Sequence, residues 1–371
     1  MTRTAGQHGA EILGVGLTCA VGLRAPFAAA AVRAGVVKFT ESDTFDRRGQ
    51  PFVQARVPPG RLPELPQTPA SLAPYETRLA QLALAAAREA LGPVAHLLTD
   101  SRTNIGPPRT HTRATAPRLP VCLALPEAHP GLALLARPDP CLRTLVASLG
   151  VDPTFARVLT RGRAGGLLAL AEAIAAIERG EPLALAVASD SFDDPTLLAA
   201  LDQEDRVRAD GVYDGFTPGE AGAAVLLAAP GTAARLGRRS PILKLAAVGI
   251  ADEPGHRYSA EPHRGDGLAA AIRRALSIHD PAYLQIRRVL TGLNGEGLFA
   301  KEWGVAAIRS RDHFADDTIL EHPADCLGDT GAASGLLLIA LAAHWALHDP
   351  GPVLVWTASD HAPRAATVLT L

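Results

Sequence analysis

Residues 166–190 read GLLALAEAIAAIERGEPLALAVASD, and residues 335–360 read GLLLIALAAHWALHDPGPVLVWTASD. Each stretch follows a run of small residues, Ala164-Gly165 after Arg163 in one and Ala332-Ala333-Ser334 in the other. Each then passes through an apolar segment of helical length and a polar break, and closes on Ala-Ser-Asp. A helix that is apolar nearly all round is buried in a large core or in a membrane. The run 331–347 is short for a membrane span and carries His344 and Trp345, so burial in a core is the expectation. Two buried helices, each feeding a buried strand, imply a large duplicated α/β core. Chemistry is expected where the two helices begin and the halves meet.

The rest of the chain supports the duplication. Residues 12–17 (ILGVGL) form an apolar strand, followed by a helix over about 25–34. The segment 242–250 (ILKLAAVGI) repeats that strand. Leucines at helical spacing predict a helix over 75–91, stopped by Gly92-Pro93, and 267–276 parallels it. Strands at 119–125 and 286–293 correspond in the same way, and 366–371 forms a final strand. Residues 40–75 read as an irregular excursion and 99–119 as a polar, basic surface loop. The expected organisation is an N-terminal half over 1–228, a connector over 229–240 and a C-terminal half over 241–371. Strands without strict alternation predict sheets covered on both faces.

Composition narrows the function. The chain has 371 residues, 47% hydrophobic and 20% charged, which excludes disorder and supports a large core. A formal net charge of −2 gives no polyanion-binding surface, and 4% aromatics argues against base-stacking platforms, so nucleic acid is not an expected partner. The first residues, MTRTAGQHGAE, contain no apolar leader core, and a soluble cytoplasmic protein is expected. Cys19, Cys122, Cys141 and Cys326 lack metal-ligand spacing and read as buried small hydrophobes, so neither a metal nor a cofactor is expected.

One run carries a resemblance. Asp205-Arg206-Val207-Arg208-Ala209-Asp210-Gly211, followed by GFTPGEAGA over 215–223, is similar to the R-D-G-F-x-x-G-E-G-A-G-like run of the β-ketoacyl synthases in the thiolase superfamily. The opening ILGVGLT with Ala20-Val21-Gly22 resembles that family's N-terminal strand and turn. The resemblance covers nearly the whole chain and implies a thiolase-like duplicated αβαβα five-layer sandwich. It also implies a homodimer, or a heterodimer with an active ketosynthase, with an acyl carrier protein as a further partner. Glu220 in this run is expected to be a buried carboxylate held by backbone and by a basic partner in the seam between the halves.

The family's chemistry needs a Cys, activated at a helix N-terminus and acylated as a thioester, and two His. The resemblance puts Arg163 at the nucleophile position, Asn294 at the first His and Asp325 at the second. A guanidinium stays protonated and is neither nucleophile nor base. A cation at a helix start also opposes the helix dipole, so Arg163 either pairs with an acid, Asp325 being the candidate, or awaits a carboxylate or phosphate ligand. The expectation is a catalytically degenerate synthase-like protein, serving as a non-condensing partner or an acyl- or carrier-binding subunit. The alternative is an acyltransferase or thioesterase with a relocated nucleophile, Cys326 with His322, and with Asp329 three residues on. The pair Asp360-His361 stands near the family's C-terminal Gly-rich turn, where His361 is expected on the surface.

Overall fold

A computed structural model describes residues 9–66, 72–99, 116–238, 242–279 and 284–371. In the first half the order is β1 (Ala10–Cys19), α1 (Ala25–Arg33), β2 (Thr40–Phe45), β3 (Pro51–Gln54), α2 (Pro74–Leu91), α3 (Ala95–Thr99), β4 (Val121–Leu125), α4 (Pro138–Leu149), β5 (Ala156–Thr160), α5 (Gly165–Glu178), β6 (Leu183–Ser191), α6 (Pro195–Gln203) and β7 (Glu220–Ala228). The short helix α7 (Thr232–Arg235) follows. The second half runs β8 (Lys244–Asp252), α8 (Asp266–Leu276), β9 (Ile286–Leu290), α9 (Gly297–Arg309), β10 (Phe314–Glu321), α10 (Ala324–Leu327), α11 (Ser334–Trp345), β11 (Val353–Ala358) and β12 (Pro363–Thr370).

The sheet order is β10-β9-β11-β12-β8-β1-β7-β6-β4-β5, and the duplication is plain in it. In one half β7 runs antiparallel to β1 and β6, while β4 is parallel to β6 and β5. In the other, β12 runs antiparallel to β8 and β11, while β9 is parallel to β11 and β10. Among the described residues the named strands of the two halves pair where β1 meets β8, at Ala10↔Leu245 and Glu11↔Lys244. Helix α5 packs on β4 and β6 of its own half and on β8 and β12 of the other, and α11 lies against α5, β1, β7 and β11. These two helices therefore form a middle layer between the half-sheets, with α2 and α4 covering one outer face and α8 and α9 the other. The result is the five-layer sandwich.

Burial explains why the repeat was so apolar. In α11 every residue from Gly335 to Ala342 is buried, because sheets or helices lie all round it. Strands β4, β6, β7 and β11 are buried along their whole length, which removes the polar alternation of a one-sided sheet. The excursion over 40–75 contains a feature its composition concealed, the hairpin β2–β3. Helices α4 and α9 and strands β5 and β10 are also additional to the sequence pattern. The basic stretch expected as a loop lies largely outside the described residues, as does the end of the connector. No helix among the described residues is long and apolar enough to cross a membrane.

Candidate functional site

Ligand sites in parallel α/β sheets lie beyond the carboxyl ends of the strands. Six such ends converge here. Glu127 follows β4, Arg163 follows β5 and Asp190 lies at the end of β6; Asn294 follows β9, Asp329 follows β10 and Asp360 follows β11. Each half thus contributes the ends of its parallel strands, and the two sets meet at the starts of α5 and α11.

Arg163 sits in a tight turn, Gly162–Ala164, immediately before α5. Gly162 has φ 58°, and a Cβ there would fall 2.1 Å from the Glu127 carboxylate, so only glycine fits. The turn aims the Arg163 side chain inward, where it is 4% exposed. Its Nε donates to Asp329 Oδ2 at 2.6 Å, its Nη2 lies 2.6 Å from the same oxygen as an ionic rather than an aligned contact, and its Nη1 lies 2.8 Å from Asp360 Oδ1. Phe192, Phe216 and Phe299 surround the guanidinium with ring centroids 5.9, 5.4 and 5.5 Å away, adding cation–π attraction.

The network extends outward from this pair. Asn294 donates through Nδ2 to Asp329 Oδ2 at 2.7 Å and to Glu296 Oε2 at 2.9 Å. Glu296 takes a bidentate pair from Arg206, at 2.8 and 3.0 Å, and a further contact from Arg257 at 2.6 Å. Arg206 also binds both Asp360 oxygens, at 3.0 and 2.9 Å. Three guanidiniums, those of Arg163, Arg206 and Arg257, therefore face three carboxylates, those of Asp329, Asp360 and Glu296. The three carboxylates match the three guanidiniums in charge, and the partly exposed Glu204 also reaches Arg206 at 3.9 Å. Tyr258 caps the cluster, accepting from Arg206 at 2.9 Å.

Burial works against the charges on Arg163, but Asp329 and Asp360 outweigh it and hold the guanidinium protonated well above its ordinary range. Burial likewise pushes Asp360 up, yet Arg163 and Arg206 pull it far below the usual carboxylate range. Glu127 has no such cation in direct contact, and burial, with Asp360 beside it, raises its carboxyl. The Asp360 backbone N–H donates to Glu127 at 3.1 Å. Beside Arg163 the remaining cavity is only about 50 Å³, bounded by Glu127, Asp190, Phe192, Tyr258 and Asp360. At about 10–15 Å³ of such space per water, it holds a few water molecules.

Two expectations need correction. Arg163 pairs with an acid, but the acid is Asp329, joined by Asp360, and not Asp325. Asp325 is exposed on α10, a single helical turn that ends at Leu327 and separates it from the buried Asp329. The signal was present in the sequence. Anchoring Gly335 on the last glycine of the family's G-H-x-x-G-A-A-G pattern puts Asp329, not Asp325, at the histidine position. Glu220 accepts from Val57 N at 2.7 Å, from Ser191 Oγ at 2.9 Å and from Arg78, all within the first half rather than across the seam.

The relocated nucleophile finds no support in its surroundings. Cys326 is buried, and both burial and the neighbouring Asp325 raise its thiol, the reverse of what a reactive thiolate needs. His322 is within hydrogen-bonding distance of the Thr291 hydroxyl, at 3.1 Å. The other three thiols are raised by burial to about 11 or 12. His361 contacts the Ala128 carbonyl at 3.2 Å and lies beside the rings of His256 and Tyr258, half-buried rather than on the open surface. Among the described residues no cluster of His, Cys, Asp and Glu has metal-site geometry.

Comparison with known proteins places this geometry in context. No protein-family model matches the chain, and neither does any curated protein. Solved structures do. The chain is similar to the ishigamide ketosynthase/chain length factor, with 18% identity, 98% of this chain and 99% of that chain covered and a TM-score of 0.75. It is similar to a ketosynthase (ApeO) in complex with its chain length factor (ApeC) from Xenorhabdus doucetiae, with 18% identity, all of both chains covered and a TM-score of 0.71. It is also similar to the ketosynthase from module 6 of the bacillaene synthase of Bacillus subtilis 168, with 12% identity, 97% of this chain and 72% of that chain covered and a TM-score of 0.74. Over its whole length, the chain has the thiolase-like fold of the ketosynthases.

Proposed function

We propose that this chain is a non-condensing ketosynthase-like subunit that works as the partner of an active ketosynthase in polyketide or fatty-acid assembly. One observation carries the reading. At the positions where a ketosynthase-like site has its Cys and its two His, Arg163 and Asn294 both donate to Asp329, and Asp360 pairs with Arg163 as well. None of the three is a nucleophile or an imidazole base, so thioester formation and decarboxylation both lack their agents. The ion pairs that occupy the site at Arg163 favour a role through surface contact over a catalytic one. An acyl carrier protein bound to such a pair would then be served by the partner's pocket.

The sheet edges support a dimer. Strand β5 ends the first half-sheet, with five residues paired in unbroken register to β4 on one side and no strand on the other among the described residues. Its counterpart β10 is interrupted between Phe314 and Ile319, where Asp316 and Asp317 stand exposed. A bulge carrying charge is how proteins blunt an edge against pairing, whereas a regular open edge invites it. The unpaired cysteines suit the reducing cytoplasm. The test is reconstitution. The purified chain should condense no acyl and malonyl thioesters alone, and should co-elute with an intact ketosynthase from the same assembly system. Condensation by the chain alone, abolished by Arg163→Ala, would overturn the reading.

A further inference from the structure

A second cavity shares no residue with the ion cluster. Strands β1 and β8 pair only at Ala10 and Glu11, with one further hydrogen bond from Ile12 N to Leu243 O at 2.9 Å. The described pairing ends there, and a space of about 510 Å³ opens beside β1. Its apolar lining includes Ile12, Val15, Leu243 and Leu347, and its charged lining includes Arg24 and Arg238. Ile12 and Val15 belong to an inner strand of the sheet yet are only half-buried. Apolar side chains left partly wet on an inner strand are the informative kind of exposure.

The charges are unequal. Arg24 is held by Glu89 at 3.2 Å, whose carboxylate also accepts from the Leu17 and Ala25 backbone N–H groups. Arg238 is exposed and has no ion-pair partner among the described residues. Half-buried His344 lies on the same wall. An apolar trough of this size with an uncommitted cation among its described residues matches the general form of a small-molecule site, about 300–1,000 Å³ with few polar groups. We propose that this wedge binds a medium-chain carboxylate, its chain along Ile12, Val15 and Leu243 and its anionic head at Arg238. The proposal is independent of the ketosynthase-like reading, since it uses none of the same residues.

Calorimetric titration of the full chain with decanoate, decanol and decylamine tests it. Decanoate should bind saturably at one site, decanol more weakly and decylamine not at all. Arg238→Glu should weaken decanoate roughly three- to tenfold, as expected for reversing one exposed charge. Leu347→Asp should abolish binding by putting a carboxylate into the trough. Both side chains are exposed, so thermal melts of the variants should match the parent. A photoreactive decanoate should label peptides containing residues 12–15 or 343–347. Absence of saturable binding, equal binding of decanol or decylamine, indifference to both substitutions, or labelling around Arg163 would each overturn the assignment.

Discussion

The Asp190 carboxylate accepts a hydrogen bond from the Ala332 backbone N–H at 2.7 Å, so the last turn of a strand in one half caps the helix start of the other. The complementary contact runs the opposite way, with Ser359 Oγ accepting from Ala164 N at 2.9 Å. The two Ala-Ser-Asp strand ends thus exchange partners across the seam. Each anchors the turn that leads into the other half's middle-layer helix.

Asp190 also sets a pH dependence. Burial outweighs its two backbone hydrogen bonds and raises its carboxyl to about 8. A carboxyl with a folded value above its unfolded one, about 3.9, favours folding while protonated. Its contribution is complete below the unfolded value and is lost as pH rises from about 4 to about 8. Asp190→Asn removes this titration. Denaturant melts across that range should therefore fall less steeply with pH for the variant than for the parent, and parallel curves would refute the assignment.

Arg163 and Asp329 form a buried pair whose separation should be costly. Removing either partner leaves an uncompensated charge, so Arg163→Ala and Asp329→Ala should each destabilise by about 3–5 kcal/mol. The double variant should lose clearly less than the summed losses, because its second substitution removes a charge the first had orphaned. Asp325→Ala, on the exposed turn, should stay within about 0.5 kcal/mol of the parent. Additive losses for Arg163 and Asp329 would show that the pair is not coupled.

No thiol should behave as a catalytic one. Native protein treated with a disulfide reagent at neutral pH should modify Cys326 slowly, and all four cysteines should react together on unfolding. Fast, stoichiometric labelling of Cys326 in the folded state would contradict its raised thiol.

Oligomerisation should depend on one edge. Val158→Asp in β5 should abolish co-elution with the ketosynthase partner and any self-association in sedimentation, whereas Ile319→Asp in the interrupted β10 should leave association unchanged. Thermal melts of both variants separate lost pairing from lost folding. A dimer that survives Val158→Asp and dissociates with Ile319→Asp would assign the interface to the wrong half.

Much of the fold was written in local pattern. The two apolar helices, and strands such as β6 and β11, are buried on all sides, and full burial leaves a continuous hydrophobic run that survives divergence. Helix α9 was less legible because only Phe299, Glu302 and Ala306 are buried on it, and one of those is charged. Arg163 could be located because the repeat fixes the start of its helix. Asp360, Glu296 and Arg206 could not be assigned to it, since they come together only through tertiary structure. Asp325 and Asp329 are four residues apart; counting back from Gly335 separates them, whereas nothing within α10 itself does.

The contrast between β5 and β10 limits how many chains can assemble. If pairing through β5 joins two chains about a twofold, each spends its one regular edge on the other. The outward ends of the joined sheet are then two copies of β10, whose break and paired aspartates present no continuous row of donors and acceptors. A third chain finds nothing to extend, so the assembly closes at two and cannot grow into a filament.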